Sequence, residues 1–298
     1  MPITTTNMSE LLYPGLKVIF GLSYKDYAAE WSQIFPVKKS TQAYEKTLGM
    51  TGFGLPATKD QGDGITYDNP FQGYTHTVTH YVRGLGYIVT KEMFTDDQYN
   101  KINALPKALK RSMLQGKEID HANVLNRAFN SSYTGADGKE LCATDHPLVG
   151  GGTEQNELST AADLSLTALE QAMIDIGEMT DDRGLLNRLL AKKLVVALEN
   201  DWTAKQLLGS AMDPETPASN ALNPAKGLLP YIVNHYLTDP DAWFILTDAE
   251  EGLVSYSRWP LELGKDNDFN SDNMLNKATE RYSISWDDFR GIYGSPGA

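Results

Sequence analysis

Residues 49–74 hold eight glycines and prolines in 26 positions: Gly49, Gly52, Gly54, Pro56, Gly62, Gly64, Pro70 and Gly73. A stretch of this length and composition does not fit inside a compact domain unless it is functional. The residues that follow, 75–90, have the opposite character. Thr75-His76-Thr77-Val78-Thr79-His80-Tyr81-Val82, then Leu85, Tyr87, Ile88 and Val89, make a β-branched and aromatic run that predicts strand. Together the two stretches predict a long hairpin projecting from the body. An isolated monomer has little with which to offset the ordering entropy of such an extension.

Hydrophobic residues are 41% and charged residues 22% of 298, enough for a sizeable core in one large domain or two ordinary ones. The single cysteine, Cys142, excludes an intrachain disulfide framework and a Cys-rich metal site, and fits a reducing compartment. Met1 to Glu10 lacks the basic region and apolar stretch of a secretory signal. No apolar run approaches the ~18 residues of a membrane span. Lys+Arg number 26 and Asp+Glu 39, a net charge of −13. That balance opposes wrapping nucleic acid with the whole surface, and leaves room for a local basic face.

Along the chain, Leu11, Leu12, Tyr13, Leu16, Val18, Ile19 and Phe20 are broken by Pro14 and Gly15, which predicts an arm laid along another surface, with a short helix around 24–31. Thr95 with Asp96 and Asp97 predicts a helix N-cap. Pro106 suits the first turn of a helix running to about Phe129. At ~100° per residue its first turns place Leu105, Ala108, Leu109, Met113 and Ile119 on one side. Lys107, Lys110, Arg111, Lys117 and His121 fall on the other. Residues 130–163 are loop-rich. Ser165 then caps a helix carrying Leu166, Leu169, Met173 and Ile176. Strands are predicted at 194–198, 231–233, 243–246, 261–263, 274–277 and 282–286, a helix at 202–211 and a loop at 213–226.

No motif assembles a catalytic or cofactor site. Gly52-Phe53-Gly54 and Gly62-Asp63-Gly64 lack the third glycine and the strand-to-helix setting of a phosphate loop. Gly294-Ser295 lacks the preceding glycine of a nucleophile elbow. Asp266-Asn267-Asp268-Phe269-Asn270 starts like a calcium loop, but Ser271 and Lys277 stand where the sharp turn and the bidentate acid belong, so turn capping is the expected role. His76 and His80 on a strand lie ~13 Å apart, too far to share a metal. Asp145-His146-Pro147 offers an acid–base pair or a turn, and Pro147 favours the turn. The basic face at 107–121 is the local charge anomaly. It is either a solvated face or one turned toward a polyanion, and the sequence leaves both open.

Several segments carry a resemblance by their order and spacing. Thr144-Asp145-His146-Pro147-Leu148 follows the long helix. Thr180-Asp181-Asp182-Arg183-Gly184 leads to Leu194-Val195-Val196. Asp266-Asn267-Asp268-Phe269 to Asn273-Met274 precedes Glu280-Arg281-Tyr282, and 286–290 with Gly291-Ile292-Tyr293-Gly294 follows. Over about residues 20–298 this pattern resembles the major capsid protein of tailed bacteriophages, in particular the Mu-like major head subunit group. The resemblance implies the α+β fold of that family. Its parts would be an N-terminal arm (1–45), an extended β-hairpin loop (46–92), a peripheral domain (93–163, spine helix about 106–129), an axial domain (164–252), return strands of the peripheral domain (253–288) and a C-terminal end in the axial domain (289–298).

The implied function is structural: hexamers and pentamers of one subunit forming an icosahedral phage head around double-stranded DNA, in the virion, with no enzyme activity and no cofactor. Arm and loop would lie on neighbours, and burial there would supply the missing stabilisation. Portal, scaffold and decoration proteins are the further partners implied, and no membrane. The arm-like sequence begins almost at Met1, so scaffold and protease are expected as separate proteins. An encapsulin-like nanocompartment around protein cargo is the alternative within the fold. A hydrolase built on Asp145 and His146 would need a pocket holding both and a nucleophile.

On this reading Lys107, Lys110, Arg111 and Lys117 face the shell interior near packaged DNA. Some members of the fold also join a loop lysine to an asparagine of a neighbour with help from a glutamate, and Lys59, Asn273 and Glu280 resemble that set. The reaction needs a neutral amine in a dry site. Asp60 and Asp63 beside Lys59 favour the charged amine, so the sequence argues against cross-linking.

Overall fold

The computed structural model describes residues 28–96, 105–212 and 221–298. Residues 1–27 of the arm expected at 1–45, the start of the helix expected at 24–31, Asp97 and most of the 213–226 loop lie outside them.

In chain order, a single turn α1 (Trp31–Ile34) leads to β1 (Val37–Lys39), β2 (Tyr44–Met50), β3 (Gln72–Thr79) and β4 (Tyr81–Val89). Helices α2 (Lys91–Thr95) and α3 (Leu105–Asn126) follow, then the short pair β5 (His146–Pro147) and β6 (Thr153–Glu154). Next come α4 (Leu166–Glu178), β7 (Ala191–Ala197), α5 (Asp201–Gly209), β8 (Tyr231–Asn234) and β9 (Trp243–Thr247). Strands β10 (Leu253–Asn267), β11 (Met274–Trp286) and β12 (Ile292–Ser295) complete the order.

Two sheets organise two lobes. The first has strand order β1-β10-β11-β4, and α3 lies on it through Leu109 and Met113 against Ala278. The second has order β12-β9-β7-β8. Its strand β7 is buried on both faces. Leu194 and Val196 meet Leu169 and Ile176 of α4 and Leu207 of α5, while Val195 faces a second core with Phe244, Ile292, Leu125 and Phe35. Burial on both faces explains why 194–197 reads as an unbroken apolar run. Ser165 caps α4 as expected, its Oγ accepting from the Ala168 N–H at 3.2 Å. The chain crosses between lobes at Gly252 and returns at Gly291. A Cβ on Gly291 would lie 2.3 Å from the Gly252 Cα, so this crossing has no room for a side chain.

Several expectations are corrected. A helix not expected from the sequence, α2, ends at Thr95 and is capped by Thr90, whose side chain accepts from the Met93 N–H, while the Thr95 hydroxyl donates to the Lys91 carbonyl at 2.7 Å. The helix that Thr95 is expected to cap would run outside the described residues. The segments expected at 261–263, 274–277 and 282–286 belong to two long antiparallel strands. Register shifts between Ser257 and Glu262, around Pro260, break the period-2 pattern and make one strand look like pieces. The hairpin is likewise shorter than 49–90. β2 pairs with β3 from Tyr44–Thr79 to Met50–Gln72, and β4 turns away to pair with β11. The switch comes at His80, buried between Ser40 Oγ and Ser283 Oγ at 2.9 Å each.

Candidate assembly surfaces

Between β2 and β3, residues 51–71 form no helix or strand. Thr51 and Phe71 close the base, with Thr51 N–H donating to the Phe71 carbonyl at 3.0 Å and Phe71 N–H to Thr51 Oγ1 at 2.8 Å. Beyond that base, Phe53, Leu55, Ile65 and Tyr67 are exposed, as are Met50 and Phe71 at its edge. Large apolar side chains collected on one extension are the mark of a surface that another molecule covers. Lys59 is exposed near the tip.

On α3 the structure keeps part of the expected basic face. Lys107 and Lys110 are exposed and Arg111 is half-buried. Lys117 does not belong with them. It is buried, pairs with Glu280 of β11, and lies 4.6 Å from the Trp31 ring centroid and 4.9 Å from that of Tyr282. His121, also assigned to the polar side, is buried and stacks on Trp31 at 4.3 Å. Ile119, assigned to the apolar side, is exposed. The physical reason is the path of the buried ridge. It runs through Leu109, Met113, Lys117, His121 and Leu125 at spacing four, so it winds around the helix from the first sheet toward the second core. That spacing was the signal available in the sequence. The charge on Lys117 hid it, although an apolar stem lets a lysine follow such a ridge.

The loop-to-strand set is not brought together within the subunit. Asn273 sits in the β10–β11 turn, its carbonyl accepting from the Asp268 N–H at 2.9 Å. Glu280 lies seven residues further along, roughly 23 Å away on an extended strand. Asp268 caps the turn as the sequence suggests, accepting from Asn270 N–H at 3.2 Å and Ser271 Oγ at 2.5 Å.

Asp145 and His146 are separated too. Asp145 pairs with Lys139 at the surface, at 2.5 Å, while His146 is fully buried. The partners of His146 are Asp137 Oδ2 at 2.6 Å and Asn156 Oδ1 at 3.1 Å, and its ring stacks on Phe289 at 3.9 Å. Asn156 Nδ2 in turn donates to the carbonyls of Leu141, Phe289 and Ile292. This is a hub tying three segments together, and neither partner of His146 is a hydroxyl or thiol that the imidazole could activate.

Beside it, burial pushes Glu157 up to about 7, with Glu140 adding to the shift and His146 opposing it. The folded state therefore favours the protonated acid. Stability from this group is present below the ordinary carboxylate range and is lost as pH rises toward 7. Burial holds His121 down to about 4, which gives the opposite slope, stability falling as pH drops below the ordinary histidine range. A difference measurement isolates Glu157. Glu157→Gln is expected to gain roughly 1–2 kcal/mol at pH 8, after allowance for solvent screening, and little at pH 4.5. Urea denaturation at the two pH values checks this, and an equal gain at both would contradict it.

The family profile of phage capsid proteins matches residues 73–295. The chain belongs to the phage capsid protein family.

A capsid subunit serves a structural role, which accounts for a hub at His146 in place of an active site. Its place is the virion capsid, as a shell subunit that associates with copies of itself. Among solved structures, the capsid of a native GTA particle is similar with TM-score 0.61 and 14% identity, over 95% of this chain and 96% of that one. The bacteriophage JBD30 capsid decorated with minor capsid protein trimers gives 0.60 and 14%, over 80% and 100%. The capsid of cyanophage P-SCSP1u gives 0.59 and 9%, over 96% and 93%. At these identities the likeness establishes the fold. A comparison with curated proteins finds no match. Among the described residues, no helix is long and apolar enough to cross a membrane.

Proposed function

We propose that this capsid subunit assembles as hexamers and pentamers into an icosahedral shell around double-stranded DNA. The observation that carries the reading is the extension at 51–71, whose large apolar side chains are left uncovered by their own chain. In a shell each extension lies on the next copy. On this reading the first sheet with α3 is the peripheral domain, and the second sheet with α4 and α5 is the axial domain. Portal, scaffold and decoration proteins are the expected further partners. Negative-stain microscopy of the purified protein, before and after nuclease treatment, tests the proposal. Closed shells or rings of capsomers are expected. Monomers at all concentrations, or shells filled with a protein cargo and no DNA, would overturn it.

Lys107, Lys110 and Arg111 are proposed to face the interior, where a weak, salt-sensitive attraction holds DNA without reading its sequence. Lys107→Glu with Lys110→Glu is expected to lower the DNA retained per particle while leaving the thermal midpoint of the subunit within about 2 °C, as for surface changes. Unchanged retention at low salt would remove the assignment.

Cross-linking between Lys59 and Asn273 is not expected. Glu280 already accepts from Lys117, so it is committed within its own subunit. Boiled particles should run as a single band at the subunit mass on a denaturing gel. A ladder that vanishes on Lys59→Ala would show the opposite.

A further inference from the structure

We infer that Arg183 is a positioning residue for assembly: it clasps the extended loop against the subunit's own second lobe, so that the loop's apolar side chains are already arranged for a second copy. The inference rests on the proposed shell. Arg183 Nη2 donates to Asp68 Oδ2 at 2.6 Å, and the guanidinium carbon lies 4.8 Å from the Phe71 ring centroid. The same Asp68 oxygen accepts from the Gly54 N–H at 2.8 Å. One arginine and one carboxylate thus gather both limbs of the loop, Gly54 on the way out and Asp68 with Phe71 on the way back. A Cβ on Gly54 would lie 3.1 Å from Arg183 Nη2, so the glycine is what lets the outgoing limb come this close. Among the described residues this is the one ion pair that 51–71 makes.

The arginine is held on a firm base. Asp181 Oδ1 accepts from the Arg183 and Leu185 N–H groups, at 2.8 Å each, and Gly184 turns the chain at φ 77. Arg290, buried, donates from Nε to the Thr180 carbonyl at 2.8 Å and from Nη2 to Asp182 at 3.2 Å. The Gly150 N–H donates to the Asp182 carbonyl at 3.0 Å. The Thr180–Gly184 segment, which stands out in the sequence only by its order, thus places one guanidinium under the loop. Beyond the clasp Phe53, Leu55, Ile65 and Tyr67 remain uncovered. Holding the limbs together beforehand removes part of the ordering cost that docking on a neighbour would otherwise carry.

The test compares Arg183→Ala, Asp68→Ala and the exchange Arg183→Asp with Asp68→Arg in the full chain. Three readouts are taken: the thermal midpoint of unassembled subunits, the rate of protease cleavage within 51–71, and the assembly rate by light scattering. Each single variant is expected to keep its midpoint, to be cleaved about tenfold faster and to assemble about tenfold more slowly, the effect of losing the partly exposed ion pair together with the Phe71 ring contact in Arg183→Ala or the Gly54 N–H acceptor in Asp68→Ala. The exchange restores the ion pair alone and should recover a measurable part of both losses. Assembly of either single variant at the unsubstituted rate, or no recovery in the exchange, overturns the inference. If the unsubstituted protein forms no shells, the shell reading fails instead, and the cleavage rates still report on the clasp.

Discussion

Lys117→Met is expected to destabilise the unassembled subunit by about 3–5 kcal/mol, the cost of leaving a buried carboxylate without its cation. Glu280 is buried, pairs with Lys117 from the adjacent helix, and sits on β11 opposite Arg83 of β4. Arg83 itself is engaged elsewhere, its Nε and Nη2 donating to Asp120 at 2.8 and 2.5 Å. Arg83 is therefore not free to replace Lys117. The substituted methionine would still fill the space between Trp31 and Tyr282, so the loss isolates charge from packing. The double variant Lys117→Met with Glu280→Leu should recover most of the stability, because replacing both members of a buried pair with apolar groups is often close to neutral. Lys110→Met, on the exposed part of the same helix, should stay within about 0.5 kcal/mol. Denaturant titrations of these three variants, of Glu280→Leu alone and of the unsubstituted protein give the coupling directly. Equal losses in the single and the double variants would mean that the pair is not the source of the effect.

Excising 52–70 and joining Thr51 to Phe71 through Asn-Gly is expected to abolish shells while leaving a folded subunit. The base of the loop already closes like a hairpin, through the Thr51–Phe71 hydrogen bonds, and an Asn-Gly turn suits two antiparallel strands. Among the described residues, the hydrophobic cores of the two lobes include none of those removed. The thermal midpoint should therefore move by no more than about 3 °C. Sedimentation at increasing concentration should show monomers, where the full chain gives particles. Normal shells from the shortened chain would place the main contacts elsewhere on the subunit.

What can be read from the sequence, and what cannot, follows from the range of the forces involved. The start of α4 is legible because a serine cap and apolar positions at spacing three and four lie within a dozen residues. Strand β7 is legible because burial on both faces leaves a run of apolar residues with no interruption. The glycine- and proline-rich loop is legible as an extension for the same local reason. Lys117 is not, because its partner Glu280 is 163 positions away and nothing local distinguishes a buried, paired lysine from a solvated one. For His146 the neighbouring acid misleads. Asp145 is adjacent in sequence but points outward in an extended segment, whereas Asp137 returns from a turn to meet the ring. Of the assembly surface the apolar loop is legible and the clasp is not, since Arg183 and Asp68 lie 115 positions apart in the chain.

The long β10–β11 ladder makes the wall of this subunit stiff in one direction. Its pairing runs from Leu253–Trp286 to Asn267–Met274, and its hydrogen bonds lie across the strands. A pull that slides one strand along the other loads all of those bonds together. A pull that spreads the strands apart from one end breaks them one after another. A container pressed outward by its contents carries tension within its wall, and subunits laid with these strands along the tension resist it in their stronger direction.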